Sequence, residues 1–145
     1  MRISTRGKNA IKLMLDLAEH DQTEPIKLKD IAKRQNISEK YLEQIIAELH
    51  KAELVKSTRG AHGGYLLRFP PEQYTVGQIL RTVEGNLSST DCSDKNGFPC
   101  ENRAACASFL LWEKLDTAMN SVLEGITLAD MLEWQNGLVI DQYVI

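Results

Sequence analysis

The chain has 145 residues, of which 43% are hydrophobic and 26% charged, enough for one ordinary core and, at this length, one compact unit with a protruding element. No run of about 18 apolar residues occurs, and the first residues hold no apolar stretch of signal-peptide length, so the sequence predicts neither a membrane span nor secretion but a cytoplasmic protein. The net charge of −3 conceals a division: residues 1–69 carry 13 Lys and Arg against 9 Asp and Glu, and residues 70–145 carry 4 against 11, so only the N-terminal half suits a polyanion.

Thr5 is expected to cap a helix over residues 5–20, with Ile11, Met14, Leu15 and Ala18 making an apolar face at i, i+3, i+4 and i+7. After the polar loop 21–25, a short helix over 28–35 turns Leu28, Ile31 and Ala32 inward. Asn36 and Ile37 turn the chain, and Ser38 is a good N-cap for a third helix over 39–52. Leu42, Ile45, Ile46 and Leu49 form its buried side, and at 100° per residue the opposite side carries Lys40, Glu43, Gln44, Ala47 and Lys51. Two short helices joined by a tight turn, the second polar and partly basic outside, make either a helix-turn-helix or an ordinary helical hairpin.

The segment after the third helix favours the helix-turn-helix. Residues 54–58 read as a strand, Arg59-Gly60-Ala61-His62-Gly63-Gly64 as a turn and residues 65–69 as the returning strand. A β-hairpin directly after such a helix is a wing, and Arg59 at its tip is the residue type that enters a narrow minor groove. Pro70-Pro71 ends the wing. Thr75, with Gln78 three residues on, caps a helix to about Glu84 that Gly85 closes. Residues 86–105 have no period and need a function or a cross-link to order them. A helix over 106–124 carries the stripe Leu111, Leu115, Met119 and Val122 with Trp112 beside it. Thr127 caps a short helix over 128–134, and a tail of undetermined structure occupies 135–145. The expected organisation is thus a winged helix-turn-helix domain (1–85), a cysteine loop (86–105), a dimerisation helix with a short C-terminal helix (106–134) and a tail, in a mainly α fold with a small β-hairpin.

The three cysteines all lie in or beside the loop, as Cys92-x7-Cys100-x5-Cys106. An odd number cannot all pair internally, and thiolates are common ligands of iron–sulfur clusters and zinc. Zinc fits less well, because structural zinc sites show short C-x2-4-C pairs and four ligands, and His20, His50 and His62 all precede the loop. The candidates in order are a cluster, a thiol or disulfide redox sensor, zinc, and cysteines that simply pack.

The segments Met1-Arg2-Ile3-Ser4-Thr5-Arg6-Gly7, Ser38-Glu39-Lys40-Tyr41-Leu42-Glu43-Gln44-Ile45, Glu53-Leu54-Val55, Arg59-Gly60-Ala61-His62-Gly63-Gly64-Tyr65 and Val83-Glu84-Gly85 resemble the bacterial winged-helix transcription regulators of the IscR, NsrR and CymR type. Three cysteines ahead of Leu111-Trp112 place the chain nearest the iron–sulfur cluster regulator IscR. The resemblance reaches to about Leu132 and implies a homodimer with crossing long helices and a cluster that alters DNA affinity. Where it would supply a fourth ligand stand Phe109 and Lys8, leaving Asp91, Asp94, Glu101 or a small exogenous ligand. The first cysteine spacing is seven residues where the resemblance would have five, and of the two cluster types [2Fe-2S] is favoured over [4Fe-4S].

The leading expectation is therefore a DNA-binding regulator, read as a repressor, whose operator affinity depends on a cluster held by Cys92, Cys100 and Cys106. DNA contacts are expected from Lys40 and Lys51 to phosphates, from Ser38, Tyr41, Glu43 and Gln44 near base edges, and from Arg59 in the minor groove. The competing readings are a metal-free regulator sensing thiol oxidation or a cysteine-metabolism partner, and a small iron–sulfur or thiol oxidoreductase. Against the last, no phosphate loop, paired catalytic carboxylates or nucleophile–base pair appears, so an enzyme is not expected.

Overall fold

The computed structural model describes residues 2–20, 22–97 and 100–143. Met1 of the opening motif, Asp21 of the first loop, Phe98 and Pro99 of the cysteine loop, and Val144 and Ile145 of the tail lie outside the described residues. In chain order the elements are α1 (Thr5–Glu19), α2 (Leu28–Gln35), α3 (Glu39–Lys51), the strands β1 (Val55–Thr58) and β2 (Gly64–Leu67), α4 (Val76–Glu84), α5 (Ala107–Gly125) and α6 (Leu128–Tyr143). The fold is mainly helical with one antiparallel hairpin, in which Val55 pairs with Leu67 and Thr58 with Gly64.

Helix α1 is the centre of the molecule, packed against α2, α3, α4, α6 and β2. Its fully buried line is Ala10, Leu13, Met14 and Leu17, while Ile11, Leu15 and Ala18 of the expected face lie half-buried against the same core. A helix wrapped from several sides has no single apolar stripe, and the expected face is displaced for that reason. Its N-cap is Ser4 rather than Thr5. The Ser4 hydroxyl accepts from the Gly7 amide at 3.2 Å, and its own N–H and O–H donate to the Glu84 carboxylate. Gly7 makes room for that carboxylate, since a Cβ there would stand 2.2 Å from Glu84 Oε1.

Between α2 and α3 the chain turns at Asn36, which takes the left-handed conformation (φ 53°, ψ 49°) that asparagine tolerates better than most residues. Ser38 caps α3 by accepting from the Tyr41 amide at 3.2 Å, and Leu42, Ile45, Ile46 and Leu49 are buried as expected. The wing is fastened at its base. Tyr74, 1% exposed, donates its hydroxyl to the Leu54 carbonyl at 2.6 Å and accepts from the Arg68 and Phe69 amides at 3.0 and 2.9 Å. The loop before α2 adds a two-way bridge between Ile26 and Tyr65, with N···O distances of 2.9 and 2.8 Å. That bridge explains Gly64, where a Cβ would lie 2.4 Å from the Ile26 carbonyl oxygen.

The C-terminal helices join this unit at the α5–α6 corner. The Val76 amide donates to the Ile126 carbonyl at 2.9 Å and the Leu128 amide to the Tyr74 carbonyl at 3.0 Å. Thr127 and Asp130 satisfy each other's backbone N–H at the start of α6, a reciprocal capping box. Leu128 is fully buried in the same core as α1. Helix α6 continues to Tyr143 instead of ending near residue 134: no proline interrupts it, and the single Gly137 costs a helix only about 1 kcal/mol. Helix α5 buries only Phe109 within the chain and leaves Leu110, Leu111, Leu115 and Val122 exposed.

Candidate nucleic-acid interface and cysteine loop

Because the core claims the Leu42, Ile45, Ile46 and Leu49 side of α3, the outer side is presented to solvent, and Lys40, Glu43, Gln44 and Lys51 are all exposed there with Ser38 at the cap. Tyr41 is half-buried against the core, so only part of its ring is available outside. In β1 only Val55 touches the core, and Lys56, Ser57 and Thr58 are exposed, so the hairpin projects from the domain. Arg59 stands exposed at its tip. The tip is a tight glycine turn: Gly60 adopts φ 107°, and a Cβ on Gly63 would fall 2.2 Å from the Thr58 carbonyl oxygen. The helix face and the wing thus expose Lys40, Lys51, Lys56 and Arg59. Lys56 is the addition to the residues expected from sequence, where nothing tells how far the hairpin projects.

Two ion pairs brace this unit. Arg6 of α1 meets Glu48 of α3. Asp16, 1% exposed, accepts from Arg34 Nε and Nη2 at 3.1 and 2.7 Å and from Gln35 Nε2 at 2.9 Å. A buried carboxylate needs such partners to offset its lost hydration, and here they tie α2 to the central helix.

The cysteine loop joins α4 to α5 and contains two short 3-10 turns, Asp91–Ser93 and Arg103–Ala105. Cys92 lies in the first turn and Cys100 between the two, both exposed; Cys106 is the N-cap of α5 and half-buried. None is in a disulfide. Both ends of the loop are held. At its far end the Arg103 guanidinium lies 4.2 Å over the Phe109 ring. At its near end Asp116 of α5 accepts the Ser89 amide at 2.7 Å. Burial pushes the Asp116 carboxyl up, and the neighbouring Ser93 and Ser89, the latter donating its amide, outweigh that and hold it below the usual carboxylate range. Lower on α5, Glu124 pairs with Arg81 of α4, accepts from Thr75 Oγ1 at 3.2 Å, and is held below the ordinary range chiefly by Arg81; Arg81 also donates to Asn120 at 2.7 Å. Asp116 and the Arg81–Glu124 pair carry no sequence signal because their partners lie 27 and 43 residues away, beyond any local pattern.

As a donor set the loop fits an iron–sulfur cluster in kind, since three unpaired thiols between residues 92 and 106 supply the soft ligands such a centre takes. Among the described residues, however, no group of three or more His, Cys, Asp or Glu side chains is gathered to hold a metal ion. No helix among the described residues is long and apolar enough to cross a membrane.

Residues 3–134 match the family model of Rrf2, described as an iron-dependent transcriptional regulator. The chain belongs to the Rrf2 family. The transcriptional regulator IscR of Aliivibrio salmonicida is 39% identical over 132 residues, covering 91% of this chain and 77% of the relative. Among solved structures, IscR of T. potens is 44% identical with a TM-score of 0.73, covering 92% of this chain and 87% of that one. CymR of B. subtilis, a global cysteine regulator, is 37% identical with a TM-score of 0.77, covering 92% and 98%. This Rrf2 protein is a DNA-binding transcription regulator and not an enzyme, and its hairpin is the wing of a winged helix.

Proposed function

We propose that this Rrf2 regulator works as a homodimer whose operator affinity is governed by an iron–sulfur cluster held by Cys92, Cys100 and Cys106, with [2Fe-2S] favoured over [4Fe-4S]. The observation that carries the reading is the set of three unpaired thiols on a loop that links the last helix of the winged unit to α5. Likeness to proteins named IscR supports it. When bound, the cluster supplies a centre that takes up or loses electrons, or is dismantled, in response to iron supply, oxygen or nitric oxide.

This chain's own side chains do the rest. In the proposed complex Lys40 and Lys51 meet phosphates, Ser38, Tyr41, Glu43 and Gln44 face base edges in the major groove, and Arg59 enters the minor groove from the wing. The exposed Leu111, Leu115 and Val122 on α5 form an apolar face that a second copy covers. The cysteine loop is hydrogen-bonded to α5 through Asp116, so a change in the loop reaches the helix that sets the distance between two recognition helices. Asp91, Asp94, Glu101 or a small exogenous molecule completes the ligand set.

A second reading has its own support: the thiols are unpaired yet not gathered among the described residues, as suits a metal-free regulator that senses thiol oxidation or a partner from cysteine metabolism. One experiment separates the two. Anaerobic purification should give a coloured protein with visible sulfur-to-iron absorption and matching iron and sulfide counts per chain, lost when the three cysteines are changed to alanine. A colourless, iron-free anaerobic protein that still binds its operator would defeat the cluster, and operator binding that then changes on oxidation of the thiols would establish the thiol reading instead.

A further inference from the structure

We propose that Asp116 is a latch: it holds the turn bearing Cys92 on α5 in the arrangement where the three thiols do not meet, and release of this contact admits the metal centre. The proposal rests on the reading of the three cysteines as cluster ligands and adds to it a residue of α5 that carries no sulfur.

Three observations lead to it. The first is that residues 90–94 form one bonded unit rather than slack loop. The Ser93 and Asp94 amides close the 3-10 turn onto the Thr90 and Asp91 carbonyls, both at 3.3 Å, and the Ser93 hydroxyl reaches the Thr90 carbonyl at 3.1 Å and the Thr90 hydroxyl at 3.2 Å. Ser93 is 7% exposed although Cys92 beside it is exposed, so the turn is docked by its serine and shows its thiol to solvent. Asp116, through the Ser89 amide, is the docking point on α5.

The second is a matter of distance along a rigid rod. Cys106 is the N-cap of the same helix, and the ten residues from Cys106 to Asp116 correspond to about 15 Å at the helical rise. While the Cys92 turn stays on Asp116 and Cys106 stays on the helix end, the two are referenced to points well apart on one element, which accords with the ungathered thiols. The third is charge. A centre ligated by three thiolates is anionic, and Asp116 is an ionised carboxylate held by hydrogen bonds. Like charges brought together repel, so the carboxylate favours the state without the centre. Asp116 also lines both open grooves flanking the turn, of about 820 and 500 Å³, which give the turn room to leave.

The test uses the full chain, first metal-free and reduced, then supplied with ferrous iron and sulfide under anaerobic conditions. In the metal-free protein, amide hydrogen exchange over residues 87–94 should be about tenfold faster in Asp116→Ala than in wild type, the size expected for one lost charge-assisted hydrogen bond. Asp116→Asn, which keeps an acceptor for the Ser89 amide, should fall between them, with α1 to α4 unchanged in both. On adding iron and sulfide, visible absorption should develop several-fold faster in Asp116→Ala than in wild type. Unchanged exchange at 87–94 in Asp116→Ala would overturn the latch, and so would slower cluster assembly in that variant, because the contact would then serve the loaded state. Changing all three cysteines to alanine addresses the underlying reading separately: an unaltered visible spectrum there defeats the cluster, while the exchange measurement still reports on Asp116.

Discussion

Tyr74 shows how much one hydroxyl can organise. It sits in the core with three backbone partners, the Leu54 carbonyl at the entrance to the wing and the Arg68 and Phe69 amides at its exit, and its burial raises its pKa, so it remains a donor through the working range. Tyr74→Phe keeps the ring and strands two amides and a carbonyl, and should cost about 1–3 kcal/mol in urea unfolding; the same midpoint in both proteins would show that water replaces the hydroxyl. Arg59 tests the proposed DNA contacts. It is exposed at the tip of a hairpin that only Val55 anchors in β1, so Arg59→Ala should leave stability unchanged. It should weaken specific operator binding by about 1–3 kcal/mol and relax preference only at the bases beneath the wing. A gel-shift titration that finds specific binding intact would remove the wing from the interface.

At the level of elements, the joint between α4 and α5 is polar and the outer face of α5 is not. Glu124, with Arg81 and Thr75, closes the joint, and its pKa is lowered in the folded chain. A carboxylate depressed on folding contributes stability above its ordinary range and loses it as pH falls through the folded value. Glu124→Gln should therefore be less sensitive than wild type to acidification below the ordinary glutamate range, measured as the change in unfolding midpoint. Both side chains are substantially exposed, so the difference should be small and should shrink in salt. The outer face of α5 tests the dimer: Leu115 is 42% exposed within a stripe that includes Leu111 and Val122. Leu115→Glu should turn a dimer into a monomer in sedimentation at micromolar concentration with secondary structure retained. A wild-type protein that sediments as a monomer with its cluster intact would sink the dimer outright.

For the molecule as a whole, charge and connectivity separate the two proposed roles. The basic half carries the recognition helix and wing; the acidic half carries the cysteine loop and the apolar helix, and meets the basic half where α4 and α6 pack on α1. If the loop controls α5, then loading the cluster should change operator affinity by a factor in the usual allosteric range, about 5–150-fold. Anisotropy titrations with loaded and cluster-free protein on one operator measure it, and equal affinities on every operator would defeat the switch. A dimer of winged units also implies a nearly palindromic operator with half-sites one or two turns apart, about 34 Å per turn.

What could be read from the residues alone was local. Ser38 with Tyr41, the left-handed Asn36, Thr127 with Asp130, and Gly60 at the wing tip each act over a few residues, and so the helices, the hairpin and their order were legible, as was the placing of all three cysteines between residues 92 and 106. Tertiary structure decided what depends on neighbours distant in sequence. Glu84 takes both hydrogens of Ser4 from 80 positions away and so moves the cap of α1 from Thr5; the surrounding elements of the fold choose which side of α1 is buried; Ile26 bridges to Tyr65; Asp116 docks the turn that carries Cys92. A sequence pattern reports hydrogen bonds and burial within a turn or two of helix, whereas these contacts exist only once packing has brought remote backbone and side chains within about 3 Å of each other.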